Sequence, residues 1–429
     1  MLKTARVVVV GGGPGGFSAA IVAKKVGAEV ILIERTNALG GFGLVAGVAK
    51  RGAASYVVAE EKALGGADLN DIFLSIAVHK DIVMPEGEHV STYNITKLDS
   101  RMQKALKEAG VQVLFRKSVV GTETSGGRIR LVTLEDGTNI DADAFVDATG
   151  ATEGPKACNK LGQGCVGCVY RCPVFGSPGG IVDMRVNTVS RLNAYGNPGV
   201  TGTSILIPIA SLAPEVKKEV CDKGYAMIPV PPNVTIDNDR MKKAGTPEIL
   251  RRGIHSQSII LLDVGGFVKV TGLGSPMWAT SLRSFPGLED SFITQPDAGA
   301  IGHLVTCTTI ALHDNYLKAD GFDNLFCAGR KSGPTCLLSA VITGDLAGYN
   351  AVRCGLDHNY LELPKTLMAG AFISLVGQKI RSKEGLSRGY SVKDPETLKE
   401  LNTYRENEDE ILKEVEYAGL REIYRTKLC

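Results

Sequence analysis

Residues Val7 to Gly41 read VVVVGGGPGGFSAAIVAKKVGAEVILIERTNALGG, and this stretch decides the fold. Its four consecutive valines are β-branched and apolar throughout, as suits a parallel strand covered on both faces. They run into a glycine cluster, and an alanine-rich helical stretch follows. Gly11, Gly13 and Gly16 satisfy G-x-G-x-x-G. The first permits the tight turn, the second lets backbone approach a pyrophosphate, and the third lets the new helix sit close on the strand. Phosphates would rest on the helix N-terminus, where free N–H groups and the dipole favour negative charge. A second strand, Glu29 to Ile33, leads to Glu34, which stands 18 residues beyond Gly16 with Arg35 beside it. That is where a carboxylate accepts hydrogen bonds from ribose hydroxyls. The order strand, glycine turn, helix, strand and acid favours an adenine dinucleotide site over a glycine-rich turn with no ligand.

Two further segments point to FAD rather than NAD. Gly40 and Gly41 form a second glycine pair just past Glu34, suited to passing backbone beside a ribityl chain. Near the far end, NLFCAGRKSGPTCLLSAVITGDLAGYNAVR (Asn324 to Arg353) offers a strand, Gly329, a short loop and a helix studded with small residues. With FVDATG (Phe145 to Gly150), these segments resemble the FAD-dependent oxidoreductases of the glutathione-reductase-like class. The likeness is strongest to the subgroup whose last flavin segment reads AGR, which includes relatives of the heterodisulfide reductase flavoprotein subunit. The resemblance implies an α/β fold: a Rossmann-like FAD-binding domain built from both chain ends. It also implies flavin contacts at Thr149, Gly150, Gly329, Arg330 and Gly333. Arg330 stands where many disulfide reductases carry an acid, and its charge would stabilise an anionic reduced flavin.

At 429 residues the chain has room for two domains and a sizeable core. Its 48 basic and 46 acidic residues leave a net charge of +2, so no broad nucleic-acid surface is expected. The first strand begins around Ala5, which leaves no room for a targeting peptide, and no apolar run is long enough to span a bilayer. Ten cysteines in such a chain suggest reduced thiols or metal ligands in the cytoplasm.

Four of those cysteines are clustered. Cys158, Cys165, Cys168 and Cys172 have the spacing Cys-x6-Cys-x2-Cys-x3-Cys-Pro in ACNKLGQGCVGCVYRCPVFG, Ala157 to Gly176. Four thiolates can each hold one iron of a [4Fe–4S] cube, and the last three match part of a bacterial ferredoxin loop. The upstream gap departs from that pattern, which leaves Cys158 the least secure ligand. A structural zinc site, a redox-active Cys165–Cys168 pair and unligated thiols are the competing readings. A flavin in the same chain favours iron, because pairing the two couples two-electron chemistry to one-electron carriers.

After Gly41, the alanine- and glycine-rich stretch to Lys80 reads as helices. Asp99 opens a predicted helix to Ala109, and Ser118 to Leu134 reads as a hairpin turning at Ser125, Gly126 and Gly127. From Ser177 to Pro296, strand-like runs broken by proline and glycine suggest a β-rich substrate domain, with a hairpin over Ile259 to Thr271. Met184, Arg185, Asn187, Arg191, Asn193 and Tyr195 bring polar groups together. An arginine pair there would suit a carboxylate, although a half-exposed strand has the same pattern. His303, shortly before the last flavin segment, is a candidate proton donor or else a packed core histidine. Cys336 opens the final flavin helix, where the dipole would favour a thiolate near the flavin, or where it simply packs. Helical spacing in Pro395 to Leu428 suits a tail that covers the protein's own surface or pairs with a second copy.

The resulting organisation is a flavin domain over residues 1–155, a cysteine-rich loop over 156–176, a substrate domain over 177–299, the rest of the flavin domain over 300–358 and a helical tail over 359–429. The expected activity is oxidation or reduction of a small-molecule substrate at FAD, with electrons relayed through the cluster to or from a ferredoxin-like carrier. No second glycine motif offers a nicotinamide site, although transient binding over the flavin stays open as the other carrier. The alternatives are a tRNA-modifying flavoprotein, an electron-transfer subunit of a larger complex and a two-electron thiol–disulfide flavoenzyme.

Overall fold

The computed structural model describes residues 3–45, 49–51, 55–85, 87, 89–150, 180–190, 192, 200–201, 205–234, 257–272, 281–296, 305–306, 309–387, 389–392 and 395–429. Its centre is a five-stranded parallel sheet of β1 (Arg6–Val10), β2 (Glu29–Glu34), β3 (Gln112–Phe115), β4 (Ala144–Asp147) and β5 (Leu325–Cys327). The spatial order is β5-β4-β1-β2-β3, and every pairing is parallel. Strand order therefore reverses at β1, and the crevice at the carboxyl ends of β1 and β4 is the topological switch point where open α/β sheets bind ligands. Because β5 comes from the far end of the chain, both ends build this sheet, as the sequence predicts.

The helices used below are α1 (Pro14–Lys25), α2 (Ser55–Ala63), α3 (Ile95–Ala109), α4 (Ile181–Arg185), α5 (Leu337–Gly355), α6 (Met368–Lys379) and α7 (Glu408–Tyr417). Pro14 starts α1 where its missing N–H costs nothing, and Lys24 and Lys25 complement the dipole at its end. Small residues bring α1 and α5 almost to backbone contact. An ideal Cβ on Gly344 would lie 2.3 Å from Gly15 O, and one on Gly348 would lie 2.2 Å from Ala19 O. That approach explains the small-residue stripe of the last flavin helix as a packing device.

A second, separate sheet is antiparallel throughout. It consists of Tyr225–Pro229, Ser258–Asp263, Phe267–Gly272, Ile205–Pro208 and Gln295–Pro296, in that spatial order. Its apolar face has its own core, with Ile207, Ile259, Leu261, Val268 and Phe285 buried. The hairpin turning at Gly265 and Gly266 forms as read. So does the one at Gly126 and Gly127, between Val119–Ser125 and Arg128–Leu134.

Two readings need correction, and a third, left open in the sequence, is resolved by Arg185. Residues Ala49–Arg51 and Ala77–Val83 are strands that pair with His89–Tyr93 rather than helices. The β-branched content of AVHKDIV outweighs the alanine-rich composition around it. The helix assigned to Asp99 begins at Ile95, because Asn94 caps it by accepting from Thr96 N at 3.0 Å. Asp99 instead accepts from Leu39 N at 2.7 Å, tying α3 to the loop after Glu34. Arg185 is occupied by Thr122, whose Oγ1 accepts from Nε at 2.6 Å and whose carbonyl accepts from Nη2, so it braces a strand rather than facing a substrate.

The tail packs on the chain's own parallel-sheet core. Ile411, Val415, Leu420 and Tyr424 are buried in the same core as α1 and α5. Glu422 N and Tyr424 N donate to Ala63 O and Leu64 O, and Leu428 N donates to Val26 O. Among the described residues, no helix is long and apolar enough to cross a membrane.

Candidate functional site

The crest of the parallel sheet is assembled from four separate stretches. Gly11 follows β1 with φ of +104°, and its ideal Cβ would lie 2.5 Å from Ala148 O, so the turn after β4 packs directly on it. Gly16 is equally constrained, since a Cβ there would lie 1.8 Å from Gly11 O. Both glycines are demanded by the fold itself.

Gly13 is different. It caps α1 with φ of −73° and ψ of −176°, a conformation open to any residue, and an added Cβ would meet nothing among the described residues within 4 Å. Packing therefore does not ask for glycine here. An uncovered backbone at the N-terminus of a buried helix is a cradle for an anion, and a side chain would fill it.

Glu34 stands at the rim of this cradle and is only 8% exposed. Its Oε2 accepts from Gly12 N at 2.8 Å, while Oε1 accepts from Thr36 N and Thr36 Oγ1, both at 2.8 Å. Both oxygens are thereby oriented, and Oε2, which accepts only one of these bonds, keeps lone-pair capacity for a ribose hydroxyl. Arg35, the next residue, points to solvent. The pair Gly40–Gly41 docks on the same turn: Gly40 N donates to Gly12 O at 3.0 Å, and a Cβ on Gly41 would lie 3.1 Å from Gly13 Cα.

The remaining flavin candidates lie on the other side of β1. Thr149 and Gly150 follow β4, where Asp147 Oδ1 accepts from Thr149 N at 3.0 Å and Thr149 Oγ1 at 2.7 Å. Gly329 follows β5 at the start of a 3-10 turn that contains Arg330, and its N–H donates to Thr343 Oγ1 on α5 at 2.9 Å. Gly15 brings α1 against that turn, its ideal Cβ being 3.0 Å from Gly329 N. Gly333 closes the turn with φ of +105° under Ile380 and Val376 of the tail side. Cys336 caps α5: its half-buried Sγ accepts from Ser339 N at 3.3 Å and lies 3.0 Å from Ser339 Oγ. Ser339 Oγ in turn accepts from Val392 N at 3.1 Å. His303, Cys158, Cys165, Cys168 and Cys172 lie outside the described residues.

Residues that carry the site without having been singled out from the sequence are Thr36, Asp147 and Thr343. The spacing of Glu34 and Asp147, each two residues before a threonine, is the local signal, because a carboxylate accepts from the backbone N–H two residues on. Thr343 has no such signal. Its role comes from the fold-back of the turn at Gly329 onto the helix that follows it.

Residues 6–153 match the family described as FAD dependent oxidoreductase. Dihydrolipoyl dehydrogenase 3 of Pseudomonas putida is 29% identical over 162 residues, which are 36% of this chain and 32% of that enzyme's length. Two crystal forms of GidA from Aquifex aeolicus share the fold. Each covers 97% of this chain at 16% identity, with TM-scores of 0.60 and 0.62 over 76% and 79% of that protein. The cradle at Gly13, the helix N-terminus and the oriented Glu34 carboxylate fit the group that the family binds.

Proposed function

We propose that this FAD-dependent oxidoreductase is an iron–sulfur flavoprotein, in which a cluster on Cys158, Cys165, Cys168 and Cys172 exchanges electrons with FAD held on the sheet crest. The observation that carries the reading is where the cysteine-bearing stretch joins the fold. It leaves after Gly150 and rejoins at Gly180, and the turn that begins it packs on Gly11. Both ends of the stretch that carries the four thiols, at Gly150 and Gly180, are thus at the crest of the parallel sheet.

FAD would be held by the backbone N–H groups of α1 and the open face of Gly13 at its pyrophosphate, and by Glu34 at its ribose. The turns at Thr149–Gly150 and Gly329–Arg330 would line its other side. When bound, FAD supplies two-electron exchange with an organic substrate, and four thiolates suit a [4Fe–4S] cluster that carries one electron at a time. The protein's own part is orientation and charge. Glu34 is fixed by three donors before any ligand arrives, and Arg330 brings a cation to the turn between β5 and α5. The substrate is a small molecule and the carrier a ferredoxin-like protein in this reading, with FAD as the meeting point of both.

The test is an anaerobic preparation assayed together for iron, sulfide, zinc and flavin, followed by electron paramagnetic resonance after dithionite reduction. The expected result is about four irons and one FAD per chain, with a reduced-cluster signal lost in Cys168→Ser. FAD without iron, zinc in its place, or an oxidisable Cys165–Cys168 pair would overturn it and leave a two-electron flavoenzyme.

A further inference from the structure

Asp147 ends β4 with no exposed surface. Three segments that lie far apart in sequence meet on this one residue. Its Oδ1 accepts from Thr149 N and Oγ1, at the point where the chain leaves toward the cysteines. Its Oδ2 accepts from Val182 N at 2.8 Å, in the first turn of α4, where the chain has returned. Its carbonyl accepts from Ala328 N at 3.0 Å, just before Gly329. One side chain therefore holds both roots of residues 151–179, and the same residue's backbone joins them to the last flavin segment.

We propose that Asp147 is a positioning residue that couples flavin binding to the cysteine-bearing segment, by clamping both of the segment's roots on one carboxylate beside Gly11. This rests on the reading that FAD occupies the crest. The physical basis is geometric. Thr149 and Ala148 pack against the dinucleotide turn, so a ligand that orders that turn fixes Thr149. A carboxylate rigidly bonded to Thr149 then presents its second oxygen to Val182 in one orientation. Charge-assisted hydrogen bonds of this kind are short, strong and costly to leave unmade in a buried site. Cys158 lies eight residues past Gly150 and Cys172 eight before Gly180. At full extension each is therefore within about 28 Å of its root, so the placement of the roots bounds where four thiolates can converge.

Asp147→Asn separates this role from plain structural support. An asparagine keeps one acceptor oxygen and replaces the other with an NH2 group, which cannot accept from Val182 N. The experiment is backbone hydrogen exchange on the full chain, with and without saturating FAD, read in peptides covering residues 148–150 and 181–186. The flavin titration is run on the same samples. In the wild type, FAD is expected to slow exchange in both peptides by about tenfold or more. In Asp147→Asn, at FAD concentrations that saturate the variant by its own titration, 148–150 is expected to be protected while protection of 181–186 is lost. Protection of both peptides in the variant, or of only one in the wild type, would overturn the coupling. Should Asp147→Asn not fold, Thr149→Val removes one donor to the same carboxylate and is expected to lower FAD-dependent protection of 181–186 by a smaller factor. An unchanged factor there overturns the proposal. A wild type that binds no FAD would instead sink the flavin reading on which this rests, and the titration reports that separately.

Discussion

Replacing Gly13 by alanine separates what the fold needs from what the ligand needs. The backbone at Gly13 already has φ of −73° and ψ of −176°, so alanine adopts it without strain, and the new methyl group meets no atom of the described residues within 4 Å. Alanine also narrows the unfolded ensemble, which stabilises the FAD-free chain by about 0.4–1 kcal/mol. The same methyl projects into the space over the N-terminus of α1 where a pyrophosphate would lie. An extra methyl forced into a filled site costs about 1–3 kcal/mol, which corresponds to FAD binding weakened by roughly 5- to 150-fold. The assays are denaturant unfolding of the FAD-free protein and a flavin-fluorescence titration. Wild-type FAD affinity in Gly13→Ala, or a FAD-free protein destabilised by more than about 1 kcal/mol, would refute the reasoning. Gly16→Ala provides the contrast, since its methyl would lie 1.8 Å from Gly11 O and must damage the fold itself.

Gly344→Ala should lower stability despite alanine's advantage of about 1 kcal/mol in a helix interior. Its Cβ would lie 2.3 Å from the backbone oxygen of Gly15, which cannot swing aside, so a net loss of about 1–2 kcal/mol by chemical denaturation is expected; a gain would show that α1 and α5 can separate freely. The buried acids beneath the tail should make the protein less stable as pH rises. Asp345 is pushed up to about 7, chiefly by burial, and burial together with Asp345 raises Glu61. An ideal Cβ on Gly66 would lie 2.3 Å from Asp345 Oδ2 and 3.0 Å from Glu61 Oε2, so the two carboxyls converge on one glycine. Glu61's oxygens have no hydrogen-bond donor among the described residues, and a shared proton supplies one. Glu60, Asp68, Lys25 and Tyr424 complete the charged and titratable surroundings. Folded values above the unfolded ones mean that the folded state holds the extra proton, so stability is full near pH 4 and falls as pH rises through about 7. Glu61→Gln should flatten the slope of melting temperature between pH 5 and 7.5, and parallel profiles for variant and wild type would count against the shared proton.

The parallel sheet was legible because its strongest signals are local. A valine run, a glycine turn and an acid at fixed spacing reflect the geometry of one strand-helix-strand unit, and β1, α1 and β2 follow it. The tail was half legible: Ile411 and Val415 mark an apolar face, but its partner, the surface around α2 and Val26, lies hundreds of residues away. Between Gly41 and Lys80 the helix reading holds for Gly41–Val45, Ser55–Ala63 and Asp68–Ser75 and fails only at Ala49–Arg51 and Ala77–Val83, because alanine and glycine lower side-chain demands in both helices and strands. Pairing with His89–Tyr93 settles the matter for Ala77–Val83, and pairing is not a property of either segment alone.

What the sequence by itself determined is the fold class, the strand, glycine turn and acid of the candidate dinucleotide site, and the grouping of four thiols, each carried by residue types at short, fixed spacing. Only the tertiary structure decided which glycines serve the fold and which leave room for a ligand, since Gly11, Gly13 and Gly16 are identical as letters and differ in what surrounds a missing Cβ. It likewise decided that Arg185 braces Thr122 and that Asp147 gathers Thr149, Val182 and Ala328. Buried polar groups must find partners wherever the chain brings them, and that requirement is met across sequence distances no local pattern encodes.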